Sequence, residues 1–358
     1  MMYFISLRKG GTTMAEQKSK KELSDEERLK QMAAQMSAEE YKGLSDEEIQ
    51  ERERQKEMLK KKNIEILDDT LNILEKGSYS KDGHEIKLHF SSERLREARV
   101  FLPEDIESMR VQNASSVING ANYIEGIGCR LGCENADALV LAQKEHQRLI
   151  KNGEKSPRVL VLNLASATHP GGQTRKGAGA QEEDICRRTS LLLSLESENA
   201  KKYYEYNNAL KTRMGSDAIL LSPNVEVVKS FDSETLAEPF TVSVISCSAP
   251  MVRLGLEGMS QQEYEMMLYK RIYGILLVAA SHKYRHLILG AFGCGIYGND
   301  AAVVSDLFNR AICSFTYDGQ SFNQLFASID FAVLCKPDKD YNYREFCRNF
   351  TSDMQNGE

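Results

Sequence analysis

Two adjacent carboxylates, Glu182 and Glu183, open a helix directly after a glycine-bearing loop, and nothing else in the chain looks as much like chemistry. The strand-like run Arg158 to Leu164 leads into Ala167-Thr168-His169-Pro170-Gly171-Gly172-Gln173-Thr174-Arg175-Lys176-Gly177-Ala178-Gly179-Ala180. Gln181-Glu182-Glu183-Asp184-Ile185-Cys186-Arg187-Arg188 follows as a helix start. Paired glycines let a backbone approach a ligand with no side chain between. A helix start offers unpaired N–H groups and a positive dipole end, so an anion belongs there. A second loop has the same plan: after Leu287-Ile288-Leu289-Gly290-Ala291-Phe292 comes Gly293-Cys294-Gly295-Ile296-Tyr297-Gly298-Asn299-Asp300. Two such loops in one α/β domain form a clasp suited to a diphosphate. Two carboxyls in different roles are the usual equipment for breaking a glycosidic bond. Acids in a first turn also simply complement the helix dipole, and the local residues leave both readings open. A general acid at a helix start needs an opposing push from a like-charged neighbour, a ligand phosphate or desolvation.

The elements that position these loops alternate. Strands are expected at His84 to Phe90, Arg158 to Leu164, Ala218 to Leu221, Val225 to Val228, Thr241 to Cys247, His286 to Phe292 and Ile329 to Cys335. Helices are expected at Ser92 to Phe101, Ala136 to Lys151 (capped by Asn135), Gln181 to Glu196, Glu198 to Leu210, Ser260 to Ser281 and Asn299 to Phe315. RVLVLNL is apolar almost throughout, as in a strand covered on both faces. The expected fold is α/β: a mixed sheet with helices on both faces, and ligands at the carboxyl ends of its strands.

The first 62 residues hold 14 basic and 13 acidic residues, a far higher charge density than the remainder. Three helix-start signals recur there, at Ser24-Asp25-Glu26-Glu27, Ser37-Ala38-Glu39-Glu40 and Ser45-Asp46-Glu47-Glu48. Each pairs an N-cap Ser with a Glu three residues on. The last should open a long helix from about Asp46 to Lys76, stopped by Gly77. Its apolar face comes late, at Leu59, Ile66, Leu67, Thr70, Leu71 and Leu74. The expected organisation is a charged helical extension over 1–58, the catalytic-type domain over 59–340 and a tail over 341–358.

A net charge of −6 argues against a chain that binds nucleic-acid phosphates as a whole. No run of eighteen apolar residues suggests a membrane span, and residues 1–7 lack the basic lead of a secretory signal. Eight cysteines without C-x-x-C spacing read as buried, reduced thiols of a cytoplasmic protein. The pair His282 and His286 reads as surface rather than as a metal site. No metal and no cofactor is expected.

Several of these blocks resemble the microbial-type poly(ADP-ribose) glycohydrolases, which are catalytic macrodomains. NLASATHPGG, a short spacer and QEEDICRRTSL match the family's signature of glycines followed by Gln-Glu-Glu. Ser222-Pro223-Asn224-Val225, Ser243 to Pro250 and Leu289 to Gly295 match further blocks. Asp69-Thr70 and Gly77-Ser78-Tyr79 match its opening segment. The resemblance runs from near Asn63 to near Cys335. It implies a macrodomain fold and release of ADP-ribose from poly(ADP-ribose), free or carried on modified proteins. It implies Glu183 as the catalytic acid and Glu182 as the holder of the terminal ribose hydroxyls. Gly171, Gly172 and Gln173, with Gln181, would belong to one ligand loop, and Gly293, Cys294, Gly295, Ile296, Tyr297, Gly298 and Asn299 to the other. Tyr297 would pack near the ribose, and Asn163 and Ser166 would line the pocket. The departure is Gln173, where the family has a third glycine. If that position needs a positive φ, Gln is strained, which would favour a non-catalytic ADP-ribose-binding macrodomain. Removal of single ADP-ribose units is a further alternative. A dinucleotide oxidoreductase fits poorly: Gly293 to Gly298 matches G-x-G-x-x-G, but Asp318 is the only acid near the required spacing and sits beside Gly319.

Overall fold

The computed structural model describes residues 41–351, apart from 92, 94–96, 117–127, 315 and 318–319. Ser24, Ser37 and Asp318 therefore lie outside the described residues. The chain divides into two compact units, residues 1–54 and 55–358.

Helix α1 runs Asp46–Lys76. Its start is the third capping signal: Ser45 N–H donates to Glu48 Oε2 at 2.8 Å, and Glu48 N–H to Ser45 Oγ at 3.3 Å. Gly77 ends it with φ 67°. The buried positions are Asn63, Leu67, Thr70, Ile73 and Leu74, whereas Leu59, expected on that face, is 56% exposed. A hairpin follows, β1 (Ser78–Lys81) and β2 (His84–Lys87), turned by Asp82 and Gly83 at φ 51° and 79°. The Asp-Gly pair is the turn signal for such a hairpin; the expected strand His84 to Phe90 captured only its second arm.

The second unit is built on a seven-stranded sheet of order β3-β6-β7-β5-β8-β11-β4. Its strands are β3 (Arg99–Phe101), β4 (Arg130–Glu134), β5 (Val159–Leu164), β6 (Ile219–Lys229), β7 (Thr235–Cys247), β8 (His286–Leu289) and β11 (Ser328–Ala332). From β7 to β4 neighbours are parallel, while β6 runs antiparallel to β7 and β3 antiparallel to β6. The sheet is thus mixed, as expected. A short pair, β9 (Thr316–Tyr317) with β10 (Gln320–Ser321), stands apart.

Helices cover both faces: α2 (Pro103–Ser116), α3 (Ala138–Lys151), α4 (Gln181–Arg188), α5 (Leu191–Leu195), α6 (Glu198–Leu210), α7 (Gln261–Ser281), α8 (Ala301–Asn309), α9 (Phe322–Leu325) and α10 (Tyr341–Phe350). Alternate residues of β5 serve the two cores. Leu160 and Leu162 pack with residues of α7 and α8, and Val159 and Val161 with residues of α3 to α6. Two buried faces explain a strand with no polar alternation.

Several expected elements differ. The helix placed at Ser92 to Phe101 ends instead in an edge strand, Val100 pairing with Leu220. The helix comes next, with Pro103 at its first position and Asp105 accepting from Leu102 N–H at 2.9 Å. The cap of α3 is Asp137, not Asn135; its Oδ1 accepts from Leu139 and Val140 N–H at 3.0 and 3.1 Å. Gln181 to Glu196 is broken at Thr189 and Ser190 because both leave the helix to pair with β6, Ser190 N–H donating to Glu226 O at 3.0 Å. The strands expected at Ala218 and Val225 are one strand with an irregularity after Ser222. The expected tail contains α10, whose Phe346 and Phe350 are buried. All eight cysteines are free, but only Cys133, Cys186 and Cys247 are fully buried. His286, expected at the surface, is buried with Nδ1 3.0 Å from Ser328 Oγ. Among the described residues no helix is long and apolar enough to cross a membrane, and no group of three metal-type ligands is assembled.

Candidate active site

The site forms at the carboxyl ends of β5, β7 and β8, where α4 begins. Gln181 sets the height of that helix. Its Nε2 donates to Leu162 O and its Oε1 accepts from Leu164 N–H, both at 2.8 Å. The amide thus replaces a missing strand partner along β5. Gln181 was expected to bind ligand; its polar atoms are taken by the strand, which makes it the stitch between sheet and helix.

Glu182 and Glu183 are 4% and 7% exposed, unusual for acids in a first turn. Dipole complementarity alone does not call for such burial. Glu182 accepts from Ser166 N–H at 2.8 Å and from Asn163 Nδ2 at 3.3 Å. Asn163, fully buried on β5, also donates to Ser246 Oγ on β7 at 3.0 Å. Burial raises the Glu182 carboxyl to about 8, with the Glu183 charge adding to the rise; the Ser166 and Asn163 hydrogen bonds oppose it. Glu183 Oε1 accepts from Gln173 N–H at 2.9 Å.

Gly171 and Gly172 take φ 64° and 59°, a region that costs an L side chain energy. Space is also lacking: a Cβ on Gly172 would collide with Glu183 Oε1 and stand 3.0 Å from Glu182 Oε2. Both carboxylates therefore converge on the Gly172 backbone. Gln173, in contrast, has φ −109° and an exposed side chain. The third position does not need glycine here, and the expected strain is absent.

The second loop is held from beneath. Asn299, 4% exposed, donates through Nδ2 to Pro250 O at 2.9 Å and Gly293 O at 3.0 Å, and accepts from the Tyr264 hydroxyl at 2.8 Å. It was expected to touch ligand; its side chain instead closes the loop. Gly293 (φ 74°) leaves room for that amide. Arg253 Nε and NH2 donate to Ile296 O and Gly295 O, both at 2.9 Å, and Tyr297 O accepts from Val252 and Arg253 N–H. Ile296 is 59% exposed at the tip. Cys294 lies beneath, its thiol directed at Phe292 O at 3.7 Å and raised by burial. The Tyr297 phenol is raised by burial and by the Glu182 charge and is hydrogen-bonded to Ser248. Tyr297 is the residue of this loop whose titration senses both carboxylates.

The sequence reading missed Ser246, Ser248, Arg253, Tyr264 and Arg271. Arg271, 1% exposed, donates to Asp217 Oδ1 at 3.1 Å and to Ser248 O at 2.8 Å, fixing the residue that holds Tyr297. A charged residue within the apolar stretch of α7 was the available signal.

Residues 67–230 match the family described as microbial-type PARG, catalytic domain. No curated protein matches the chain. Among solved structures, poly(ADP-ribose) glycohydrolase from Thermomonospora curvata bound to the inhibitor ADP-HPD is 28% identical, with TM-score 0.68, over 81% of this chain and 99% of that one. A second structure of the Thermomonospora curvata enzyme gives TM-score 0.69 at 28% identity, over the same shares. The Deinococcus radiodurans enzyme in complex with ADP-ribose is 28% identical, with TM-score 0.62, over 75% of this chain and 100% of that one. The family match over residues 67–230, and a shared fold that takes in nearly the whole of each of these structures, make this chain similar to the microbial-type poly(ADP-ribose) glycohydrolases.

Proposed function

We propose that the protein hydrolyses ribose–ribose glycosidic bonds in poly(ADP-ribose) and releases ADP-ribose. The observation that carries this reading is the convergence of two buried carboxylates on the Gly172 backbone, at a helix start between two glycine loops. The likeness to poly(ADP-ribose) glycohydrolases solved with ADP-ribose and ADP-HPD supports it.

In this reading the diphosphate lies between the loop at Gly171 and Gly172 and the loop from Gly293 to Gly298, and Tyr297 packs against the terminal ribose. Glu182, protonated at neutral pH by its burial, hydrogen-bonds the ribose hydroxyls. The Glu183 carboxyl gives its proton to the leaving ribose oxygen as the C1″–O bond breaks. The oxocarbenium ion is stabilised by the substrate's own phosphate. Water then adds at C1″, and its proton returns to Glu183. The first-turn N–H groups of α4 and the nearby diphosphate set the local charge. The eight free cysteines support a cytoplasmic location.

The argument for a non-catalytic ADP-ribose-binding protein was Gln173, and its φ of −109° removes it. The test is incubation with poly(ADP-ribose) and measurement of released ADP-ribose, with wild type beside Glu183→Gln. Release by wild type alone supports the reading; tight ADP-ribose binding without release by wild type sinks it.

A further inference from the structure

A buried amide on a highly charged helix calls for a reason, and α1 carries one. Asn63 is 6% exposed, and its Nδ2 donates to Gly177 O at 2.9 Å. The contact is close because Gly177 (φ 76°) has no side chain: a Cβ there would collide with the Lys60 carbonyl and stand 2.8 Å from Lys60 Cα. Helix backbone thus rests directly on loop backbone. The loop carries the contact inward. Gly177 N–H donates to Thr174 O at 2.9 Å and Ala178 N–H to Gln173 O at 3.3 Å, closing the turn. Gln173 N–H then donates to Glu183 Oε1 at 2.9 Å. One hydrogen-bonded chain therefore leads from Asn63 to the Glu183 carboxylate. About two turns further along α1, Thr70 Oγ1 donates to Arg187 O at 2.5 Å, and Arg187 NH1 donates to Ala178 O at 2.5 Å. The same helix face therefore grips both the loop and the far end of α4. Leu67, between these two grips, packs in the core with Ile185, Cys186 and Leu192.

We propose that Asn63 is a positioning residue for the reaction, which sets the place of the Glu183 carboxylate through Gly177 and Gln173. It rests on the proposed glycohydrolase reading for its kinetic part only. Asn63 and Lys60 lie on α1, ahead of residues 67–230, the span that matches the family. Catalytic groups need geometry held to a fraction of an ångström, and a misplacement of about 1 Å costs up to about a hundredfold in rate. The chain passes through the far side of the Gly171–Gly177 loop and ends on the Glu183 carboxylate, so the larger effect falls on turnover.

The test compares wild type with Asn63→Leu, which keeps the volume and removes the donor, and with Asn63→Gln, which keeps an amide. Amide hydrogen exchange reads the loop without any substrate. Asn63→Leu should speed exchange at Gln173, Gly177 and Ala178 by about tenfold or more, with the rest of the protein unchanged and Tm within a few degrees. Its kcat on poly(ADP-ribose) should fall by about tenfold to a hundredfold while KM and the ADP-ribose Kd stay within about threefold. Asn63→Gln should recover part of both. Wild-type exchange in the loop, faster exchange with wild-type kcat, or faster exchange throughout the protein would each overturn the proposal. A wild type that hydrolyses nothing would defeat the glycohydrolase reading, while the exchange result would still decide whether Asn63 holds the loop.

Discussion

The Gln173 N–H donates to Glu183 Oε1 at 2.9 Å from a residue whose φ is −109° and whose side chain points to solvent. The contact is a backbone donor to the Glu183 carboxyl, and any residue other than proline can supply it. Gln173→Ala and Gln173→Gly should therefore keep turnover within about twofold, the glycine variant losing about 0.5 kcal/mol of stability through added freedom in the unfolded chain. Steady-state rates and denaturation midpoints check this. A tenfold loss in Gln173→Ala would show that the amide side chain makes a contact with substrate.

Glu182 gives the chain a pH-dependent stability. Its carboxyl lies at about 8 in the folded protein and at 4.5 ordinarily. The folded state thus binds the proton more tightly, and stability falls as pH rises from the ordinary carboxylate range through about 8. The full loss is on the order of 5 kcal/mol for a shift of that size. Glu182→Gln cannot ionise, so its Tm should decline less than that of wild type between pH 5 and pH 9 in unliganded protein. Parallel Tm profiles for the two would contradict the burial argument. In the presence of ADP-ribose the variant should also bind more weakly, because its amide NH2 would face one of the two donors, Ser166 N–H or Asn163 Nδ2, that the carboxyl oxygens now accept from, and so shift the group proposed to hold the ribose.

The brace on Gly177 defines where the chain can be shortened. A protein beginning at Lys56 keeps Asn63, Leu67 and Thr70 and should fold with ADP-ribose affinity within about threefold of the full chain. One beginning at Leu71 loses the Asn63 and Thr70 contacts and should lose most of its turnover and several degrees of Tm. Calorimetry, thermal melts and polymer assays on the two truncations separate these outcomes. Loss of binding in the longer one would place part of the site before Lys56.

The helix that begins at Gln181 and both glycine loops were legible because glycine pairs, a strand-like apolar run and two adjacent acids are local signals. Their supports were not. Asn299 and Gln181 were read as ligand contacts since an amide's partner depends on tertiary geometry, and both amides turn out to face backbone from elements far away in sequence. Residues 99–101 looked helical because the antiparallel partner that makes them a strand, at Ile219 to Leu221, comes more than a hundred residues later. The break at Thr189 and Ser190 has the same origin, since its cause is the edge of β6. Gln173 could not be judged from sequence, because a family glycine marks freedom and only the backbone angle shows whether that freedom is used.

The central claim is that Glu183 delivers the proton to the leaving ribose oxygen. Glu183→Gln keeps the size of the side chain and an oxygen able to accept from Gln173 N–H, and removes the acid. ADP-ribose affinity by calorimetry should stay within about tenfold, roughly 1.4 kcal/mol. Release of ADP-ribose from poly(ADP-ribose), measured beside it, should fall by at least about a hundredfold. Turnover at the wild-type rate in Glu183→Gln would remove Glu183 from the mechanism and contradict the account.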